Sequence, residues 1–383
     1  MTPSGAPIIE GETSRPSHPP DRMRRLSGAA LFALAVMIGA ALNGLFFFYE
    51  IARSQRPQQM ADAMLAGAIP AFAMLLVYLP VPGVLDRFDP EPWWCLLMAF
   101  VWGAVVATGI AGFVNGGVSQ MSTDAYGVET GRLITTVFVA PVSEEIMKGM
   151  VVWGFFYFLR REFDGVVDGI IYATVAALGF AAVENVSYYA RAVLQGEDVF
   201  TGTFILRGVI APWGHPLYTS MTGIGIARES SRSWVRIVAP IVGLVAAISL
   251  HATWNFIPNL GNHAFAASLV FWIAFVAIFS IIVIALVVRK GATIRNYLKD
   301  EVVFGNLSEL EVAFLTSAFG RLRTYFMPKG RLWRKLIRAT ARLALSKWHT
   351  ARAMRGKKRT ISLELIAPLR SEVKRLRAEI AAK

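Results

Sequence analysis

The chain has little charge and almost no cysteine. Its 383 residues include a single cysteine, Cys95, so a secreted fold held together by disulfide bonds is excluded. Charged residues make up 17% of the chain, whereas a soluble domain carries about 25%. Hydrophobic residues reach 55%, which excludes disorder over most of the length. These proportions predict a polytopic membrane protein.

The excess positive charge is confined to one end of the chain. The formal net charge is +13, and residues 289–383 contribute +16, from 23 Lys and Arg against 7 Asp and Glu. Because this basic tail directly follows an apolar segment, we interpret it as a cytoplasmic region that faces the bilayer and contacts anionic lipids. Nucleic-acid binding is the weaker interpretation, since a basic patch alone is a poor signal for it.

Apolar stretches of about 20 residues predict an all-α, polytopic transmembrane helix bundle of about eight spans. The predicted spans lie near 26–49, 63–85, 93–114, 134–159, 166–190, 203–227, 234–257 and 264–288. Residues 1–21 are rich in Pro, Ser and Gly, so we expect them to be disordered. The chain then divides into a disordered segment 1–21, a transmembrane domain 22–288 and a basic cytoplasmic tail 289–383.

The basic tail is expected to be helical. Ser308 and Glu311 have the spacing of a capping box, which predicts a helix that begins there. Over residues 331–348, five basic residues fall on one helical face: Arg331, Arg334, Lys335, Arg338 and Arg342. Such a helix either lies on an anionic membrane surface or packs inside a small cytoplasmic domain, and the sequence leaves both open.

Four stretches place ionisable residues where the bilayer interior should exclude them. A charge at the bilayer centre costs at least about 2.5–3.5 kcal/mol, so such residues are functional candidates. The residues concerned are Glu144, Glu145 and Lys148, then Glu184, then His215, and finally His251 with Asn255. Counting 1.5 Å per residue along each predicted span places all four stretches at or above the membrane midplane, where they can meet.

Helical spacing predicts how these side chains are arranged. Glu144 and Lys148 are four residues apart, so we expect them to pair and to reduce each other's cost of burial. Glu145 points about 100° away from Glu144 and is expected to be free for other chemistry. His251 and Asn255 are also four residues apart, which aims an imidazole and a carboxamide in one direction.

Carboxylates and imidazoles gathered in one interior can hydrolyse an amide. A glutamate can take a proton from water, and His with Glu can hold a zinc ion that ionises water near neutral pH. Asn and His side chains can donate hydrogen bonds to the oxyanion of a tetrahedral intermediate. Buried Glu and His are equally typical of an ion-coupled transporter, and buried polar groups can also simply bond helix to helix. The polar motifs occur once, without an inverted repeat, which favours hydrolysis over transport.

Five blocks of this sequence together resemble the PrsW family of intramembrane proteases. The blocks are residues 140–148, 168–172, 179–185, 215–220 and 251–255, and their order and spacing match over roughly 65–288. The resemblance implies an intramembrane endopeptidase related to the CAAX prenyl protease and the bacteriocin-processing enzymes, with 22–288 as its peptidase domain. It also implies membrane-protein substrates, with an anti-sigma factor as the leading candidate.

The resemblance implies roles for individual residues. It makes Glu144, Glu145, His251 and Asn255 catalytic, with the carboxylates activating water and with His251 and Asn255 as metal ligands or as donors to the oxyanion. It makes Glu184, His215 and His251 the candidate ligands of a zinc ion. Whether such a site works with zinc or as a metal-free glutamate protease is left open by the resemblance.

Arginines in the short loops predict that both termini are cytoplasmic, because cytoplasmic loops carry an excess of Lys and Arg. Arg22, Arg24 and Arg25 precede the first predicted span. Eight spans return the basic tail to the same side, whereas seven or nine would place it outside. We therefore expect a multi-pass protein of the cell membrane with an even number of spans.

Reporter fusions test this topology. Fusions after Arg161, Arg232 and Lys290 should report the cytoplasm, because these residues follow an even number of predicted spans. Fusions near Gly196 and Asn262 should report the outside. A cytoplasmic signal at Asn262 would contradict the eight-span topology and the common depth inferred from it.

Overall fold

The computed structural model describes residues 19–163, 165–228, 233–317, 319–355 and 362–382. The structure is about 90% helical, and these residues contain no strand. The predicted all-α fold class is therefore confirmed. Most of the segment expected to be disordered, residues 1–18, lies outside the described residues, and the first helix begins at Pro19.

The contacts within the chain divide it into two compact units, residues 19–82 with 91–280 and residues 83–90 with 281–382. The α-helices of the larger unit are α1 (Pro19–Arg53), α2 (Pro57–Tyr78), α3 (Pro80–Leu85), α4 (Trp93–Val101), α5 (Thr108–Tyr126), α6 (Val128–Leu133), α7 (Ala140–Phe158), α8 (Val166–Gln195), α9 (Glu197–Phe204), α10 (Gly214–Ala227), α11 (Ser233–Phe256) and α12 (Asn262–Tyr297). Helices α3 and α12 continue into the smaller unit, which adds α13 (Lys299–Val303), α14 (Glu309–Leu315), α15 (Gly320–Arg323), α16 (Gly330–Arg355) and α17 (Ser362–Ala381).

Six helices in the described part of the chain are long and apolar enough to cross a membrane. They are Leu26–Arg53, Pro57–Leu85, Trp93–Tyr126, Val166–Gln195, Trp234–Leu260 and Asn262–Val303. These six correspond to the predicted first, second, third, fifth, seventh and eighth spans. The chain is thus a multi-pass membrane protein.

The predicted fourth and sixth spans are built differently. Helix α7 carries three charged residues, Glu144, Glu145 and Lys148, so its composition is not that of an ordinary span. The segment expected to form the sixth span is interrupted near Ala211, and α10 has only 14 residues. Both departures fall on the segments that carry the polar motifs.

Helix α8 is the centre of the larger unit. In its most apolar window 89% of the residues are buried, and it packs against α2, α4, α7 and α10. The backbone N–H of Gly165 donates to the Asp168 carboxylate at 2.9 Å, which caps the beginning of the helix. Helix α8 is surrounded by protein, and its surface consists largely of small residues together with the fully buried Tyr172 and Tyr189.

Helix α10 crosses α8 at a pair of glycines. A Cβ added to Gly169 would lie 2.4 Å from the carbonyl oxygen of Gly223, and one added to Gly223 would lie 2.2 Å from that of Gly169. Small residues at such crossings let helix backbones approach closely in membrane proteins. The crossing fixes α10, which carries His215, against α8, which carries Glu184.

Three six-residue π-helical segments interrupt the larger unit: Trp102–Ala107, Ile134–Val139 and Ile205–Ile210. Such segments are rare and often mark functional sites. The second leads directly into α7, and the third ends just before α10. The second and third segments therefore adjoin α7 and α10, whose composition or length departs from an ordinary span.

The capping box predicted in the tail is present. The Ser308 hydroxyl accepts from the backbone N–H of Glu311 at 3.2 Å, and the Glu311 carboxylate accepts from the backbone N–H of Ser308 at 2.7 Å. Burial alone raises the pKa of Glu311, but the hydrogen bonds from Ser308 and Arg377 outweigh it and hold that pKa below its usual range. Helix α14 begins at this cap.

Helix α16 buries its apolar face inside the smaller unit. Leu336 and Leu343 are fully buried, and the helix packs against α17. Lys347 is also buried, although it is charged, and it pairs with Glu301. Glu301 also accepts a hydrogen bond from Arg370 at 2.9 Å. The sequence left two alternatives for this helix, a membrane surface and packing inside a small domain. The structure shows packing inside a domain.

Replacing Gly223 by alanine should destabilise the larger unit, because the new Cβ would meet the Gly169 carbonyl oxygen. Overpacking of this kind costs about 1–3 kcal/mol, so the melting temperature of the protein purified in detergent should fall by several degrees. Gly154→Ala is the matched control, since a Cβ there meets nothing within 4 Å and alanine is the better helix former. Equal melting temperatures for the two variants would contradict the close crossing.

Candidate active site

The residues predicted to meet do converge inside the larger unit. Four helices contribute to the cluster: α7, α8, α10 and α11. A cavity of about 700 Å³ is lined by Glu144, Glu184, His215, His251 and Asn255. The convergence expected from depth along the spans is thus present in the structure.

Glu145 lies behind the cavity and is fully buried. Lys148 Nζ lies 2.7 Å from Glu145 Oε1, and the Thr219 hydroxyl donates to Oε2 at 2.8 Å. His251 Nδ1 lies 3.0 Å from Oε1. Glu145 was expected to be free, whereas the structure gives it three partners. Lys148 is nearer to Glu145 than to Glu144, because helical spacing allows either pair and Thr219 and His251 hold Glu145 in place.

Glu144 is the carboxylate with an available oxygen. Its Oε1 accepts from Asn115 Nδ2 at 3.4 Å, while the buried Oε2 has no hydrogen-bond partner among the described residues. Lys148 Nζ is 3.6 Å from this oxygen. A buried polar atom without a partner is rare and calls for a water or an ion.

Both imidazoles turn their second ring nitrogen towards that oxygen. His251 Nδ1 donates to Glu145, and its Nε2 lies 3.9 Å from Glu144 Oε2. His215 Nε2 donates to Glu184 at 3.1 Å, which leaves Nδ1 as an acceptor 4.0 Å from Glu144 Oε2. The partner of one ring nitrogen fixes the tautomer and thereby directs the other nitrogen.

The donor set fits a divalent metal ion. One ligand atom each from Glu144, His215 and His251 lies within 4.8 Å of the other two. Two imidazoles and one carboxylate form a set that zinc uses in catalytic sites, with a fourth position left for water. The carboxylates behind the two imidazoles are the partners that metal-bound histidines usually have. Lys148 Nζ donates to His215 Nδ1 at 2.9 Å, so an ion bound there would replace this hydrogen bond.

Glu184 is engaged elsewhere, although it was expected to be a metal ligand. Arg207 forms an ion pair with Glu184 Oε2, the same oxygen that accepts from His215. The Arg207 guanidinium also donates to Asn185 Oδ1 at 2.6 Å and lies 3.6 Å above the Tyr188 ring. Glu184 thus lies against the Nε2 side of the His215 ring, and its role as a metal ligand stays a prediction.

Asn255 lies one helical turn beyond His251 and lines the same cavity. Its amide donates to the backbone carbonyl of Thr136 at 2.8 Å, in the π-helical segment before α7. It contacts neither glutamate in the described structure. Its expected role as a donor to an oxyanion therefore stays a prediction.

Sequence reasoning missed three residues of the cluster: Arg207, Thr219 and Asn115. Arg207 is an arginine inside a predicted span, which is itself a signal of function. Thr219 stands in the 215–220 block without an assigned role. Asn115 was placed in a loop after a span ending at 114, whereas α5 continues to Tyr126 and carries Asn115 beside Glu144.

Comparison with known proteins places these residues in a family. Residues 91–286, slightly more than half of the chain, match the family described as PrsW family intramembrane metalloprotease. The matched region contains α4 to α11 and hence every residue of the cluster. No solved structure matches the chain.

Three curated relatives carry the name Protease PrsW. The one from Oceanobacillus iheyensis is 27% identical over 199 residues, which are 52% of this chain and 83% of the relative. The one from Geobacillus kaustophilus is 28% identical over 164 residues, 43% of this chain and 65% of the relative. The one from Bacillus subtilis is 27% identical over 194 residues, 50% of this chain and 80% of the relative. The chain is therefore a peptidase and belongs to the PrsW family of intramembrane metalloproteases.

Proposed function

We propose that this peptidase hydrolyses a peptide bond of a membrane protein inside the 700 Å³ cavity, with water activated between Glu144, His215 and His251. The observation that carries the proposal is the buried, unpartnered Glu144 Oε2 facing two imidazole nitrogens. A carboxylate at this position can take a proton from water and later return it to the leaving amine.

We propose further that Glu144, His215 and His251 hold a zinc ion. When bound, zinc would ionise water near neutral pH and polarise the scissile carbonyl group. The position of the two imidazole nitrogens and of the unpartnered Glu144 oxygen supports this assignment. In the metal-free alternative, Glu144 alone acts as the general base, and Asn255 donates to the developing oxyanion.

The remaining polar residues position these three. Glu145 holds the His251 ring through Nδ1, and Thr219 with Lys148 holds Glu145. Glu184 holds the His215 ring through Nε2. Asn255, at the edge of the cavity, is the candidate donor to the substrate oxyanion when its bond to Thr136 is released.

The substrate we propose is a single-pass membrane protein, with an anti-sigma factor as the leading candidate from the family resemblance. Aromatic residues Tyr78, Trp254 and Phe265 line the cavity beside the charged cluster, which suits an apolar peptide segment. We place the site in the outer half of the bilayer with both termini cytoplasmic, which the depth of the motifs along the predicted spans supports. In this proposal 22–288 is the peptidase domain, preceded by segment 1–21 and followed by the basic tail 289–383.

Glu144→Gln should abolish cleavage while the protein still inserts and keeps its melting temperature. The change keeps the shape of the side chain and removes its capacity to accept a proton, and loss of a general base costs about 10²-fold or more. The measurement compares membrane-protein fragments in cells that express wild type or variant. The control is Glu129→Gln, an exposed carboxamide substitution on α6, which should cleave like wild type.

His215→Ala, His251→Ala and Glu145→Gln should also abolish cleavage, because each removes a group that faces or orients the reacting water. Loss of one oxyanion donor costs roughly 10²–10³ in rate, so Asn255→Ala should leave a detectable remainder. Wild-type cleavage by all of the Glu144, Glu145, His215 and His251 variants would overturn the proposed site.

Metal content separates the two forms of the mechanism. Protein purified without chelators should hold about one zinc ion per chain, measured by mass spectrometry of the metal. Glu144→Gln, His215→Ala and His251→Ala should lose the ion. Glu184→Gln should keep it, because its amide oxygen can still accept from His215 and it is not a ligand in this proposal.

Two outcomes would contradict the zinc assignment. Retention of the ion by Glu144→Gln with loss in Glu184→Gln would return the ligand role to Glu184. Full cleavage by protein shown to be free of metal would leave the glutamate mechanism in place and exclude the zinc form.

A further inference from the structure

A short segment of the tail, Phe319–Phe326, exposes four large apolar side chains. The exposed fractions are 64% for Phe319, 58% for Leu322, 61% for Tyr325 and 86% for Phe326. They stand on α15 and on the 3₁₀ turn Thr324–Phe326 that directly continues it. A cluster of exposed apolar side chains on a charged domain indicates a surface that binds a protein or a membrane.

The segment has an inner and an outer face. Gly320 and Thr324 are buried, and a Cβ on Gly320 would lie 2.4 Å from the carbonyl oxygen of Phe314, so this face packs against the unit. Within α15, Leu322 lies on the opposite face from Gly320 at about 100° per residue. Phe319, Tyr325 and Phe326 are exposed beside it in the chain, so the four apolar side chains form the uncovered side of the segment.

Arginines flank the apolar face on both sides. By the same helical count, Arg321 lies on one side of it and Arg323 on the other. Arg323 is exposed and Arg321 is half-buried. The guanidinium of Arg334 lies 4.3 Å above the Tyr325 ring, which adds a third cation at the edge. An aromatic centre with cations at its rim is the pattern of side chains at a membrane–water interface.

We propose that this segment, with Phe319, Leu322, Tyr325 and Phe326 at its centre, inserts into the headgroup region of an anionic phospholipid bilayer. The net charge of +16 on residues 289–383 complements a negative membrane surface. The segment also follows α12, a candidate membrane span, within one compact unit that begins inside that helix. The chain itself therefore keeps the segment close to a bilayer.

The proposed lipid contact of the Phe319–Phe326 segment differs from the membrane contact that the basic residues of α16 predict. The apolar face of α16 is covered by its own unit, with Leu336 and Leu343 buried, so lipid does not cover that face. The cluster of four large exposed apolar side chains lies instead on the turn that precedes the helix. Basic residues of α16 add attraction, and the Phe319–Phe326 segment supplies the insertion.

The test uses the full-length protein in nanodiscs. Cys95 is fully buried, so a cysteine introduced by Phe326→Cys can carry an environment-sensitive fluorophore, with the unsubstituted protein as the labelling control. Leu363→Cys on α17 is the matched site, an exposed apolar residue of the same unit. Quenching by aqueous acrylamide and by lipid-attached nitroxide is measured in phosphatidylcholine discs with and without one third phosphatidylglycerol.

With phosphatidylglycerol present, the probe at position 326 should be quenched several-fold less by acrylamide than the probe at 363, and more by the lipid nitroxide. Each arginine near an anionic surface contributes about fivefold to partitioning. Arg321→Gln combined with Arg323→Gln should therefore lower the inserted-to-free ratio by about 25-fold. Raising the salt concentration should also lower the inserted-to-free ratio, because salt screens the attraction to the anionic surface.

Three results would overturn the proposal. The first is equal acrylamide quenching at 326 and 363 in anionic discs. The second is equal insertion with and without phosphatidylglycerol, which would exclude the requirement for anionic lipid. The third is protection of position 326 in detergent that grows with protein concentration, which would identify a second copy of the chain as the occupant.

Discussion

The buried ammonium of Lys148 is the charge on which the acidic site depends. It lies fully buried 2.7 Å from Glu145, 3.6 Å from Glu144 and 4.3 Å from the centre of the Phe180 ring. Two adjacent carboxylates in an apolar bundle repel each other and lose their hydration, and a buried cation between them offsets both costs. The other polar side chains of the cluster surround this buried pairing of Lys148 with the two glutamates.

That arrangement gives the two adjacent glutamates different environments. Glu145 receives three donors and has no access to the cavity, so it serves the structure of the site. Glu144 keeps one oxygen unpaired at the cavity wall. A transporter would need its buried carboxylate to load and release an ion along a path, whereas the proposed hydrolysis uses this free oxygen to take a proton from water.

Much of the architecture could be predicted from the sequence, because hydropathy and helical rise depend on residue type and residue number alone. The convergence of Glu144, Glu184, His215 and His251 followed from this arithmetic. The pairing of Lys148 with Glu145 did not, since helical spacing places both glutamates within reach and only Thr219 and His251, from other helices, decide between them.

The engagement of Glu184 was equally hidden from the sequence. Its partner Arg207 comes from a π-helical segment, where the usual 100° count fails and the facing of a side chain depends on packing. The orientation of α16 shows the same limit in the tail. Its basic and apolar faces were visible in the sequence, but whether lipid or protein covers the apolar face depends on the position of α17.

The glycine crossing of α8 and α10 has a consequence for how a peptide reaches the site. Backbone lies directly on backbone at Gly169 and Gly223, with no side chain between them that could change rotamer. These two helices thus form a rigid wall that holds Glu184 and His215 at a fixed spacing. Helices α2 and α11 line the same cavity, and their most apolar windows are only 17% and 11% buried. The cavity is thus bordered both by a fixed helix crossing and by helices that the described protein leaves largely uncovered.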